Sequence, residues 1–182
     1  MKHFKMLSMA RLGYQYLILG WMIFFPGLIA AQQPTASSFY EQALSLHRSN
    51  NLSGAIDYYS EALRVDEQHW DALYNRAMAY YEMEKYRKAK IDLDLLLSEK
   101  PSDAAAHAQR GRVHFMLQDP LSSVADYSFA MGQIKDDDLL INRGMAYCQT
   151  AAYSQALMDF ENALQKNSND VEALVGVGDV HF

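Results

Sequence analysis

The chain of 182 residues holds one cysteine, Cys148, so it can form no internal disulfide and offers no cysteine metal cluster. Its nine glycines are scattered, and none falls in a GxGxxG or GxxxxGKS/T phosphate loop. No HExxH stretch occurs, and no alternating apolar/polar run reads as a strand. Acidic residues are missing from residues 1–31, which hold only Lys2, Lys5 and Arg11; this leaves 13 basic and 22 acidic residues, a charge of −9, in residues 32–182. So acidic a body excludes general nucleic-acid binding, which needs Lys and Arg against phosphates. Disorder is excluded as well, because half of the residues are hydrophobic and 12% are aromatic.

The positive charges at the start precede Leu12–Ala31, which is free of charge and apolar over Tyr16–Phe25. Pro26-Gly27 then breaks the helix, and Ile29-Ala30-Ala31 supplies small residues. This order reads as a secretory signal peptide over 1–31, cut after Ala31. The alternative is an uncleaved membrane anchor, since about 20 apolar residues span a bilayer. Either reading exports the body to the periplasm and cell envelope or beyond, with the positive end left in the cytoplasm. No cysteine follows the apolar stretch, which excludes a bacterial lipoprotein anchor. Residues 32–35 read as a polar linker.

Beyond the linker the sequence repeats. Ala55, Ala89, Ser123 and Ala156 are spaced by 34, 34 and 33 residues. Four positions after each stand Tyr59, Leu93, Tyr127 and Phe160, and three further Ala62, Leu96, Ala130 and Ala163. Upstream, Ala43, Ala77, Gly111, Gly144 and Gly178 keep the same period. The pattern resembles the tetratricopeptide repeat (TPR) family, 34-residue helix–turn–helix units with small and aromatic residues at these offsets. The expected units are 36–69, 70–103, 104–136 and 137–170, with a fifth beginning at 171–182. Helices are expected near 37–49, 53–66, 70–83, 86–98, 103–117, 120–133, 137–149, 153–167 and 170–182. The resemblance implies an all-α solenoid, wound as a right-handed superhelix. Its fifth unit has a first helix and no second, and Val171, Leu174, Val175 and Val177 do not make a polar cap. The expectation is a truncated chain, or one whose end docks on something.

One departure from the family pattern is paired. Arg76, Arg110 and Arg143 stand just before the small residue of the first helix, where the family often has leucine. Asp92, Asp126 and Asp159 follow sixteen residues later. In an antiparallel hairpin these positions share a level, which predicts the pairs Arg76–Asp92, Arg110–Asp126 and Arg143–Asp159. They read as structural bidentate pairs rather than as a ladder for ligand carboxylates.

No catalytic constellation emerges, and no cofactor or metal is expected. His107, His114 and His181 occupy aromatic positions of the repeat and read as large core side chains. Cys148 reads as a half-buried thiol, and Asp136-Asp137-Asp138 as a helix N-cap. What remains is surface. The resemblance implies a concave groove lined by the first helices, here Tyr40, Leu44, His47, Asp71, Tyr74, Met78, Tyr81, Arg112, Phe115, Asp138, Ile141, Met145 and Cys148. That set reads as an apolar, aromatic groove for a protein or peptide ligand. Asn75 and Asn142 match one position of the carboxylate-clamp subtype. Its lysines are missing, with Arg112 the sole groove base, so chaperone-tail binding is not expected. The expected function is that of an exported, non-enzymatic scaffold. The alternatives are an anchored sensor or assembly module, and the N-terminal part of a larger protein.

Overall fold

The structure is a computed structural model that describes residues 34–181. The signal or anchor expected over 1–31, and residues 32 and 33 of the 32–35 linker, lie outside the described residues. Among the described residues there are nine helices and no strand: α1 (Ala36–Arg48), α2 (Leu52–Val65), α3 (Trp70–Glu82), α4 (Tyr86–Glu99), α5 (Ala104–Met116), α6 (Pro120–Met131), α7 (Asp138–Gln149), α8 (Tyr153–Lys166) and α9 (Val171–His181). Each packs mainly on the helix before and after it, so the chain builds a row of hairpins. That is the expected helix–turn–helix solenoid.

Several helices start on a side-chain cap, whereas α4 and α8 start at Lys85 and Ala152 without one. Thr35 accepts from Ser38 N–H, Asn51 from Gly54, Asp103 from Ala106 and Asp119 from Ser122. Each satisfies a backbone donor that the first turn leaves free. Pro120 follows its cap at the first helical position, where a missing N–H costs nothing. The acids at 136–138 act differently from the expected cap. Asp137 precedes α7 in a helical conformation with no side-chain bond to that helix, and it pairs with Lys166 at the end of α8. Asp136 instead accepts from Asp138 N–H at 3.1 Å.

The four turns inside the hairpins share one geometry. Asn50, Glu84, Gln118 and Ala151 have φ of 61°, 57°, 60° and 56°, the left-handed region. In the first turn Asn50 N–H donates to His47 O, and Asn51 N–H to Leu46 O, both at 2.9 Å. The same two bonds recur after α3, α5 and α7. These are Schellman endings, which usually carry glycine at the left-handed position. The four residues share no side-chain chemistry, which explains why turn composition marks Asn50-Asn51 and misses Glu84 and Ala151.

The core is a row of clusters, each shared by a hairpin and its neighbour. Tyr59, Tyr127 and Phe160 are fully buried on the second helices, each contributing roughly 3 kcal/mol of transfer free energy. Their rings need room on the first helix. A Cβ at Gly111 would lie 3.0 Å from the Tyr127 ring, and one at Gly144 would lie 2.6 Å from Phe160. Phe160 also presses on Gly176 of α9, at 2.5 Å from a Cβ there, and so joins two repeats. Ser123 replaces the usual alanine, and its buried hydroxyl donates to Gly111 O at 2.9 Å.

The left-handed turns give a prediction. A non-glycine residue in that region carries about 1 kcal/mol of strain, partly offset by the greater unfolded-state freedom of glycine. Ala151→Gly is expected to raise stability by about 0.5 kcal/mol and Asn50→Gly by less, since asparagine tolerates the region. Urea midpoints of both variants check the order.

Candidate partner-binding surface and the ion-pair ladder

The predicted pairs form within their own hairpins. Arg76 Nε and Nη2 donate to both oxygens of Asp92 at 2.8 Å each. Arg110 and Arg143 do the same to Asp126 and Asp159, also at 2.8 Å. The sequence did not show a third contact that each arginine makes. Nη1 donates back to the second helix of the preceding hairpin: to Ser60 Oγ at 3.1 Å, Asp94 Oδ1 at 2.9 Å and Ser128 Oγ at 3.0 Å. Each guanidinium therefore holds its own hairpin in register and ties it to the one before. Asp159 is the most enclosed carboxylate, with its side chain 1% exposed. The carboxylate hydrogen bonds hold Arg110 and Arg143 above the ordinary arginine range, against the opposing effect of burial. No arginine of the ladder is left for a ligand carboxylate.

The middle hairpin adds two histidines. His114 is buried, as its repeat position suggests. Its Nδ1 lies 3.2 Å from Asp119 Oδ2 without the alignment of a hydrogen bond, and has no other partner. Burial pushes this imidazole below its usual range, against the pull of Asp126 and Asp119. His107 departs from the core expectation. It is half-buried, with Nδ1 donating to Asp126 Oδ1 at 2.8 Å and Nε2 3.1 Å from Pro101 O. Its ring lies 3.9 Å from that of Phe129. It is a polar brace on the Arg110–Asp126 pair. The side chain of His181 lies outside the described residues.

The first-helix positions divide into three groups. Asp71, Arg112 and Asp138 are exposed. Tyr40, Leu44, His47, Tyr74, Met78, Tyr81, Phe115, Met145 and Cys148 are half-buried. Ile141 is 4% exposed, because it packs with Leu140 and Phe160, and it reaches the surface only in the floor of the hollow described below. Several half-buried side chains are held by neighbours. Tyr40 Oη accepts from Asn75 Nδ2 at 3.1 Å, and its ring lies 4.8 Å from His69. Asn75 also donates to Asp71 O, so this clamp-position asparagine is already engaged. His47 bridges Tyr59 Oη and Glu82 Oε1, each at 3.1 Å. Burial raises the Tyr59 hydroxyl to about 12, so it stays a hydrogen-bond donor. The Arg112 guanidinium sits over Tyr81 at 5.3 Å, and Tyr86 meets Tyr81 edge-on. Tyr74 packs into the core below, so truncating it tests folding as well as binding. Burial, helped by Asp179, pushes the Cys148 thiol up, the opposite of what a nucleophile needs.

A hollow of about 480 Å³ opens between α5, α7 and the start of α9. Gln109, Arg112, Asp136, Asp138, Asn142 and Glu172 line it. The expected groove is apolar and aromatic; here it is polar and acidic, with one guanidinium. Arg112 and Asp138 were legible in the sequence. Gln109, Asp136 and Glu172 were not, because they sit on two helices and the loop before α7, which become neighbours only when the hairpins stack.

Stacked helical hairpins, each in contact mainly with its neighbours, define the class of repeat solenoids. Residues 46–113 match the family model for the tetratricopeptide repeat, and the described residues have the all-α fold of a TPR solenoid. Relatives include BBSome complex member BBS4 of Bos taurus, 22% identical over 144 residues, which are 79% of this chain and 28% of that protein. The tetratricopeptide repeat and J domain-containing co-chaperone DNJ1 of Cryptococcus neoformans is 28% identical over 102 residues, 56% of this chain and 18% of that one. The chain thus spans less than a third of these relatives. Among solved structures, a MamA protein superposes with a TM-score of 0.76 at 16% identity, covering 80% of each chain. YrrB, titled a TPR protein with an unusual peptide-binding site, gives 0.75 at 21% identity, with 86% of this chain and 81% of that one covered. Proteins of this fold serve as protein–protein interaction scaffolds.

The ladder is tested by a double-mutant cycle. Arg143→Met leaves Asp159 buried and uncompensated, and is expected to cost about 3–5 kcal/mol. Adding Asp159→Leu is expected to recover most of that loss. Urea denaturation of the two single variants and the double variant measures it, and purely additive losses would show that the pair is not coupled.

Proposed function

We propose that the protein is an exported, non-catalytic scaffold that seats a protein or peptide along the face made by its first helices. One observation carries the reading: Tyr81, Met78 and Phe115 stay half-exposed beside Arg112, while the arginines of the hairpin interface are consumed by internal pairs. The face offers two chemistries. From α1 to α5 it is aromatic, with the adaptable Met78; from α5 to α9 it is the acidic hollow around Arg112. An extended segment with apolar residues at one end and basic or polar residues at the other suits both. The peptide-binding site named for YrrB supports a peptide ligand.

Asp71 and Arg112 are exposed and lie outside the core clusters, so exchanging their charges keeps the fold at a cost of about 1 kcal/mol for the lost first-turn acid and the Arg112–Tyr81 contact. The Asp71→Lys/Arg112→Glu variant is expected to weaken partner binding at least tenfold, with its helical circular dichroism retained and its melting still cooperative. Isothermal titration with the isolated partner measures this, and undiminished affinity would move binding to another surface.

Export rests on the charged, apolar and small-residue order of residues 1–31. N-terminal sequencing of the protein from its host is expected to begin at Gln32. A start at the original terminus would instead make it a membrane-anchored module with the repeats outside the cytoplasm.

A further inference from the structure

The outward side of the second helices changes character along the row. Large apolar side chains stand exposed there: Ile91 (65%) and Leu95 (50%) on α4, Leu121 (74%) and Phe129 (40%) on α6, and Met158 (54%) on α8. Ile91, Ala125 and Met158 each follow by two residues the small residue of their helix, Ala89, Ser123 or Ala156. They therefore form a row at one level across the three helices. Leu95 and Phe129 lie one turn further on, and Leu121 one turn earlier. In α2 the levels of Ile91 and Leu95 hold Asp57 and Glu61, so that helix face is charged. In contrast, α6 carries one charged residue, Asp126, which is buried in its pair with Arg110. The Phe129 ring is held by that of His107, 3.9 Å away. The hairpins stacked on both sides of α6 leave this patch open, so it is not a surface that a longer row of repeats would cover.

We propose that two copies of the chain meet on this patch, with their α6 helices antiparallel and Ala125 against Ala125 of the second copy. Three properties select a second copy as the occupant. The first is self-complementarity. Leu121 and Phe129 lie four residues either side of Ala125, so a two-fold axis along the row sets Leu121 of each copy against Phe129 of the other. The small side chain on the axis lets the two helices approach closely. The second is charge. Residues 32–182 carry −9, so an ordinary face of this molecule repels its own copy, whereas α6 brings no exposed charge to the contact. The third is area. The five large side chains leave on the order of 500 Å² of apolar surface in solvent, the upper range for a monomer. That is more than half of the roughly 800 Å² per partner that a standard interface buries, and Ser122, Ser128 and the Arg87 stem supply a rim. The patch is separate from the first-helix face and its hollow, and stands whether or not a ligand binds there.

Sedimentation velocity of the 182-residue chain over a concentration series is expected to show a 20.7 kDa monomer passing to a dimer. Ala125→Lys and Ala125→Glu each set like charges against one another on the axis. Each is expected to weaken dimerisation at least tenfold, with helical circular dichroism retained because the position is exposed. An equimolar mixture of the two variants is expected to dimerise within about threefold of the unaltered chain, since each lysine then meets a glutamate. That recovery requires residue 125 to face its own counterpart. A monomer throughout, up to about 1 mM, would overturn the proposal. So would association that both single variants leave intact, which would place the contact elsewhere, the apolar stretch 16–25 included. Single variants that dissociate while their mixture stays monomeric would refute the two-fold arrangement. Binding of a monomer to phosphatidylcholine vesicles, lost in Leu121→Lys, would make a lipid surface the occupant and sink the dimer.

Discussion

Three consecutive hairpins are held by a planar guanidinium facing a carboxylate, one residue away from a large apolar side chain (Leu93, Tyr127 or Phe160) packed on a small residue. The two contacts are neighbours by necessity. Close approach of the helices, allowed by Ala77, Gly111 and Gly144, brings the preceding positions within bidentate reach. The pair in turn removes freedom that an all-apolar interface leaves, because two parallel N–H···O bonds accept only one register. The third donor of each arginine then fixes one hairpin against the last, through Ser60, Asp94 or Ser128. Local register and the stacking of repeats thus depend on one side chain per unit.

The same economy governs the turns. Four unrelated residues adopt the left-handed conformation because the hydrogen bonds that end each first helix require it. Tertiary closure overrides local preference at Glu84, Gln118 and Ala151. The ring of Phe160, wedged between Gly144 and Gly176, shows the same dominance of packing, since it couples the last two units through a single side chain.

For binding, the consequence is a division of labour. Arginines that the charge pattern offers to ligands are spent on structure, and Arg112 is the groove cation left exposed. Aromatic side chains of the first helices are shared between core and surface. Tyr74 and Tyr40 are partly enclosed by neighbours, while Asp71, Arg112 and Asp138 face solvent. The surface is therefore a stiff, mixed face whose polar end forms where α5, α7 and α9 converge.

The sequence alone determined the repeat, the all-helical class, the level at which helices meet and the arginine–aspartate partners. Each of these is a matter of spacing along the chain, and a helical period converts spacing directly into a face and a height. It also marked the first-helix positions that could face a ligand. Only the tertiary structure decided which were free: it buried Ile141, tied His47 to Tyr59 and Glu82, and turned His107 into a brace on Asp126. It likewise gathered Gln109, Asp136 and Glu172 around Arg112, and left Gly178 open where Gly144 is filled. The reason is that exposure belongs to neighbours far apart in sequence. A single helix's pattern shows which side chains share a stripe; which stripe is covered depends on the hairpin that stacks against it.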